Sequence, residues 1–224
     1  MSNNYYYKSL HQYAEKLSKS QQRNTIPLFG EGHPLAPSMS GGVCAEMAVI
    51  WLKEQLNPPL WGTQFPRLAH KAVANSKRAK ALTANAAILR QAAKSDDHYS
   101  YKTQLSILLR ETNIQTKNIF LPSGSATFDN LHTVISQFPE LGNRRCGALI
   151  GFGVGSSFHC ISVFVDTSKK ISFYDGNAGS YLLKGEVGSN DVIRFFKDYT
   201  NICLAKKWPS MSIGNRLNLA YVYS

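Results

Sequence analysis

The stretch FHCISVFVDTSKKISFYDGNAG, residues 158–179, decides the fold of the C-terminal half of this chain. Its apolar residues alternate with others in two runs that the polar TSKK separates, a pattern typical of a two-stranded hairpin. Because successive strand residues point to opposite faces, Ile161 shares a face with His159. In the same way, Phe173 shares a face with Asp175. An odd-length loop or a bulge would turn both apolar sets toward one core, and this register would also place His159 and Asp175 on one face.

Similar patterns surround this hairpin. Short apolar runs at 147–154 (GALIGFGV) and 217–223 (LNLAYVY) predict further strands of one antiparallel sheet. Between the strands, Ser189 is expected to start a helix whose apolar face includes Val192, Ile193, Phe195 and Phe196. The C-terminal half therefore predicts an antiparallel sheet with at least one amphipathic helix.

The stretch GGVCAEMAVIWL, residues 41–52, carries the other informative feature. Residues 45–56 contain strong helix formers and few polar residues, which predicts a helix buried nearly all round, with Cys44 at its start. The unpaired N–H groups of a helix N-terminus favour a thiolate, and the N–H of Cys44 itself could serve as an oxyanion donor. We expect an α+β fold in which this buried central helix packs on the antiparallel sheet.

Together, three residues form a consistent set for nucleophilic catalysis by a thiol, which needs a nucleophile, a base and a group that orients the base. Cys44, His159 and Asp175 are the candidates for these three roles. Each also has a structural interpretation, as a buried core cysteine, a hydrogen-bonded strand histidine and a turn former. Their order and local context favour the catalytic hypothesis.

At these residues the sequence resembles the YopT/AvrPphB family of bacterial effector cysteine proteases, a branch of the papain-like clan. The resemblance extends over roughly residues 40–180, but only the two quoted blocks are specific. It implies a papain-like fold, a Cys44 nucleophile, a His159 base, an Asp175 orienting group and no cofactor. It also implies secretion by a bacterium and translocation into the host cell cytoplasm, where a host protein such as a Rho-family GTPase or a kinase is cleaved. A secretion chaperone is a further partner that such a protein would be expected to have.

The sequence departs from papain-like enzymes just before the cysteine. These enzymes usually supply a second oxyanion donor from an amide side chain there, whereas residues 39–43 contain no Gln or Asn. The hydroxyls of Ser38 and Ser40, or an amide from Asn24 in the preceding loop, are alternative donors. The choice among them stays open.

Composition limits the classes of partner. Lys and Arg number 25 against 14 Asp and Glu, so the net charge of +11 favours anionic partners. No nucleic-acid-binding motif is present, and no cysteine spacing predicts a metal site. The basic segment 71–90 is interpreted either as a contact with an anionic membrane surface or as a solvated helix face. No stretch is long and apolar enough to span a bilayer.

We divide the chain into an exposed N-terminal helical or secretion segment, residues 1–25, and a catalytic domain, residues 26–224. A loop is expected over 26–42, and helices over 60–94, 101–110 and 128–137. Besides proteolysis, the same triad could serve a glutamine deamidase, an acyltransferase or a cell-wall amidase on this scaffold. An inactive binding module is the alternative outside enzymology.

Overall fold

A computed structural model describes residues 8–16, 44–57, 115–119, 145–154, 157–176, 178–204 and 218–223. Its strands are β1 (Ala14–Lys16), β2 (Gln115–Ile119), β3 (Cys146–Val154), β4 (Ser157–Val165), β5 (Lys170–Asp175), β6 (Gly179–Glu186) and β7 (Asn218–Tyr223). They form one seven-stranded sheet in the order β1-β6-β5-β4-β3-β7-β2, and neighbouring strands are antiparallel. The combination of helices with an antiparallel sheet is the α+β class that the sequence predicts.

Two α-helices accompany the sheet, α1 (Cys44–Leu56) and α2 (Asn190–Asp198). A 3-10 turn covers Lys8–Gln12, and α2 continues directly into a π-helical segment, Tyr199–Leu204. Ser189 is the N-cap of α2, as predicted, although its side chain makes no capping hydrogen bond. No helix within the described residues is long and apolar enough to cross a membrane.

The central hairpin has the register that its apolar pattern predicts. Ile161 pairs with Asp175, Val163 with Phe173 and Val165 with Ile171, which leaves an odd connection of residues 166–170. The Asp166 carboxylate holds this turn, because its Oδ1 accepts hydrogen bonds from the backbone N–H groups of residues 168 and 170 at 2.8 and 2.9 Å. Both apolar sets therefore face one core.

The two faces of the sheet bury different partners. One face packs against α2 and forms a core rich in aromatic side chains, in which the rings of Phe195 and Tyr199 meet the ring of Phe173 edge-on at 5.2 and 4.8 Å. The other face packs against α1, where the ring of Trp51 stacks on that of Tyr174 at 5.3 Å. Alternate side chains of β4 and β5 thus pack into two different cores, because both faces of these central strands are covered.

The predicted faces of the helices are largely confirmed. Among the α1 side chains that the structure describes, those of Ala48, Val49, Trp51, Leu52, Gln55 and Leu56 are buried, which agrees with the expected burial of this helix. In α2, Val192, Phe195 and Phe196 are buried, whereas Ile193 is only half-buried and lies beside the apolar stripe.

The N-terminal segment differs from the expected exposed amphipathic helix. Residues 8–12 form a 3-10 turn, and β1 adds to the edge of the sheet by pairing with β6. The side chains of Leu10 and Ala14 are buried in the aromatic core. Burial of these two side chains and the main-chain pairing outweigh the local helical periodicity, so this segment is part of the sheet domain.

Strand β2 was not predicted, since its sequence QTKNI has no apolar alternation. Several other predictions lie outside the described residues. They are the loop over 26–42, the helices over 60–94, 101–110 and 128–137, the basic segment 71–90, and the boundary between residues 25 and 26.

Helix α1 lies close to the sheet at Gly147. A Cβ atom there would collide with the carbonyl oxygen of Val163 and would lie 2.6 Å from Cδ1 of Leu52. We expect Gly147→Ala to lower the free energy of unfolding by about 3 kcal/mol, because neither the strand nor the helix can yield without loss of packing. Urea denaturation of the purified variant measures this.

Gly188→Ala is the matched control for this prediction. No atom lies within 4 Å of a Cβ at Gly188, so only its φ of +85° opposes alanine, at a cost of about 1 kcal/mol. A loss at Gly147 no larger than that at Gly188 would contradict the close approach of α1.

Candidate active site

A buried histidine and a buried aspartate meet where β4 begins and β5 ends. Nε2 of His159 lies 2.9 Å from Oδ1 of Asp175. The two residues are 3% and 0% exposed, so this contact is shielded from water. A carboxylate accepts the hydrogen bond from the ring N–H, which places the proton of a neutral imidazole on Nε2 and leaves Nδ1 as the basic nitrogen.

The other oxygen of the same carboxylate is also engaged. The hydroxyl of Tyr199, the first residue of the π-helical segment, donates a hydrogen bond of 2.9 Å to Oδ2 of Asp175. Tyr199 is itself fully buried. Asp175 is therefore held through both oxygens, by a residue of β4 and by a residue that follows α2.

Cys44 is the first residue of α1, as the sequence predicts. Two contacts fix how this helix runs along β4. Ala48 lies over Ser162, and the side chain of Leu52 lies over the pair formed by Gly147 and Phe164. The helix therefore runs in the same direction as β4.

This direction places the start of α1 level with the beginning of β4. Four helical residues rise about 6 Å, and two strand residues rise about 6.6 Å. One turn before Ala48, the backbone of Cys44 therefore comes level with residue 160, next to His159. α1 covers one face of β4, whereas the histidine ring shares the other face with Ile161, so the sheet lies between the ring and the body of the helix.

A buried hydrogen bond maintains this alignment. The hydroxyl of Ser162 donates to the carbonyl oxygen of Ala48 at 2.7 Å, and the serine is fully buried. Ser162 is three residues from His159, and Ala48 is four residues from Cys44. The bond thus links the strand that carries the histidine to the helix that carries the cysteine.

The other cysteines in the described part of the sheet have different surroundings. Cys146 and Cys160 are both buried. Burial raises the pKa of the Cys146 thiol to about 11, so this side chain stays protonated near neutral pH. Cys146 therefore lacks the properties of a nucleophile and supplies an internal reference for thiol reactivity.

Some predicted site residues lie outside the described part of the chain. These are the candidate oxyanion donors Ser38 and Ser40, together with Asn24. Among the residues that the structure does describe, no group of three His, Cys, Asp or Glu side chains is arranged to hold a metal ion.

Comparison with solved structures finds a likeness in overall fold. The chain is similar in fold to AvrPphB. The alignment with the crystal structure of the Pseudomonas avirulence protein AvrPphB covers 83% of this chain and 93% of that one, with a TM-score of 0.55. The sequence identity over the alignment is 11%, so the likeness to AvrPphB concerns the fold alone. No protein-family profile and no curated protein sequence matches the chain.

Neither Tyr199 nor Ser162 is among the site residues that the sequence predicts. A signal for Tyr199 was available, because it continues the apolar stripe of Val192, Phe195 and Phe196 at helical spacing. A hydroxyl at the end of such a stripe needs a buried partner. Ser162 left no comparable signal, since it alternates with apolar residues as an outward-facing strand residue would.

Proposed function

We propose that this chain is a papain-like cysteine protease in which Cys44, His159 and Asp175 form the catalytic triad. The observation that carries the proposal is the buried hydrogen bond between Nε2 of His159 and Oδ1 of Asp175. The likeness in fold to the avirulence protein AvrPphB supports it, as do the two sequence blocks that resemble the YopT/AvrPphB family.

The helix start and the histidine would activate the thiol together. In this proposal Nδ1 of His159 takes the proton of the Cys44 thiol, because Nε2 is directed at Asp175. The resulting thiolate is favoured by the unpaired N–H groups at the start of α1, and the imidazolium is favoured by the Asp175 carboxylate. The product of this transfer is a thiolate–imidazolium pair.

Peptide cleavage then proceeds in two steps. The thiolate attacks the scissile carbonyl carbon, and the N–H of Cys44 donates to the oxygen that becomes negative. The imidazolium returns its proton to the leaving amine, the C–N bond breaks, and a thioester remains on Cys44. Water, deprotonated by His159, hydrolyses the thioester and restores the free thiol.

The proposed setting is a host cell. The fold neighbour is a Pseudomonas avirulence protein, which supports a bacterial effector that acts on a host protein after translocation into the host cytoplasm. The net charge of +11 supports a substrate that lies at an anionic surface, such as a membrane-associated protein. A Rho-family GTPase is the substrate that the family resemblance favours.

The experiment that tests the function compares host cells that express the wild type with cells that express Cys44→Ala. We expect proteomics to find new protein termini with the wild type alone. If the chain were a deamidase, new protein termini would be absent, and the modified glutamine residues would be heavier by about one dalton. Added acyl groups would indicate an acyltransferase, and identical proteomes for the two proteins would overturn the enzymatic proposal.

A further inference from the structure

We propose that Tyr199 is a positioning residue for the active site, which holds the Asp175 carboxylate in the orientation that His159 requires. This inference rests on the proposed function, because it assigns a fourth member to the same site. The hydrogen bond from the Tyr199 hydroxyl to Oδ2 carries it.

A buried carboxylate needs partners that replace the water it has lost. Asp175 is fully buried, and an ionised carboxylate that has left water must be compensated by hydrogen bonds or charges. His159 compensates Oδ1, and Tyr199 compensates Oδ2. A hydrogen bond donated to a carboxylate favours its ionised form, so the tyrosine favours the form of Asp175 that can orient and stabilise an imidazolium.

The orientation of the Asp175 carboxyl group also depends on Tyr199. A carboxyl group held at one oxygen can rotate about its Cβ–Cγ bond, whose torsional preference is broad. Contacts at both oxygens, from β4 on one side and from the segment after α2 on the other, fix the plane of the group. With that plane fixed, Oδ1 stays aligned with Nε2, and the basic Nδ1 of His159 keeps one direction.

The end of α2 places Tyr199 beside Asp175. At the end of α2 the backbone N–H of Tyr199 is directed at two carbonyl oxygens, those of Phe195 and Phe196, and the helix widens from α to π geometry. The hydroxyl of Thr200 also donates to the Phe196 carbonyl oxygen at 2.9 Å. Single π turns are uncommon and often occur at functional sites, and here the π segment starts at the residue that reaches Asp175.

Packing alone does not account for a tyrosine at this position. Its ring lies in the aromatic core against Phe173, where neighbouring positions of the same stripe are phenylalanine. A phenylalanine would fill the same volume, and a hydroxyl in an apolar core is unfavourable unless it is hydrogen-bonded. Its bond to Asp175 explains the hydroxyl.

The test compares Tyr199→Phe with Tyr181→Phe. Both tyrosines are fully buried, and both rings contact Phe173 in the same core. The two variants therefore remove the same group from one core, but Tyr199→Phe also removes the hydrogen bond to Asp175. Two measurements are made on the full chain. One is the rate at which iodoacetamide alkylates Cys44 at neutral pH, with Cys146 as the internal reference, and the other is the NMR signal of the His159 ring N–H proton, assigned with His159→Gln.

We expect Tyr199→Phe to slow alkylation of Cys44 about tenfold, because one hydrogen bond to a charged group is lost and such a bond contributes about this factor. We also expect the His159 ring proton to shift and to exchange faster with water, while Tyr181→Phe leaves both readouts near the wild-type values. Unchanged readouts in Tyr199→Phe, or equal changes in both variants, would overturn the inference.

The two measurements separate this inference from the proposed function. If Cys44 of the wild type reacts no faster than Cys146, the catalytic proposal fails. The ring proton of His159 does not depend on Cys44 reactivity or on a substrate. A change of that signal in Tyr199→Phe alone would therefore still support the positioning of Asp175 by Tyr199.

Discussion

Cys44→Ala should abolish hydrolysis of the host substrate, lowering kcat/KM by a factor of roughly 10⁴ or more, as loss of the nucleophile does in comparable triads. The reason is that no other group of the site can form the thioester. The free energy of unfolding should change little, by about 0.5 kcal/mol, because alanine is a good helix former at the start of α1. The substrate found by proteomics, incubated with each purified protein, gives the measurement.

Cys160→Ala is the matched control for this prediction. Cys160 adjoins His159 in the chain and is buried, and its thiol contacts the carbonyl oxygen of Ile161 at 3.8 Å. This variant should keep the activity of the wild type, since its side chain points away from the face that holds the histidine ring. Loss of activity in Cys160→Ala with retention in Cys44→Ala would assign the chemistry to a different thiol and contradict the triad.

His159→Ala should abolish activity and also destabilise the protein. Asp175 would keep the hydrogen bond from Tyr199 but would lose its partner at Oδ1 while remaining buried. Removal of one partner of a buried pair costs about 3 kcal/mol or more, because the remaining charge is not compensated. Urea denaturation reports the stability, and hydrolysis of the same substrate reports the activity.

The double variant His159→Ala, Asp175→Ala distinguishes the two effects. Removal of both residues takes away the unpaired charge but also the acceptor of the Tyr199 hydroxyl, so part of the lost stability should return while activity stays absent. If His159→Ala unfolds at the same urea concentration as the wild type, this would contradict a buried pair of His159 and Asp175. A double variant that is less stable than the single variant would show that Asp175 stabilises the fold by other contacts.

The elements that the sequence determined by itself are those whose local pattern and tertiary surroundings agree. The hairpin of β4 and β5 is one, because a single register satisfies the turn, the apolar alternation and the placement of His159 beside Asp175. Helix α1 is another, because its helix formers coincide with burial on the sheet. The stripe of α2 is a third, apart from Ile193 at its margin.

Where local and tertiary preferences differ, the sequence was misleading or silent. The segment around Leu10 and Ala14 has helical periodicity, but the open edge of β6 pairs with it as β1 and the core buries both side chains. Strand β2 has no apolar pattern, because its main chain pairs with β7 without needing one. Main-chain pairing depends little on side-chain identity, so such strands leave a weak trace in the sequence.

Only the tertiary structure decided which groups surround the carboxylate of Asp175. The sequence indicated that His159 and Asp175 share a face, since that relation follows from a strand period of two within one hairpin. Tyr199 is 24 residues from Asp175, and Ser162 is 114 residues from Ala48. Contacts of this kind arise from how α1 and α2 pack on opposite faces of the sheet, and residue spacing along the chain carries no information about that packing.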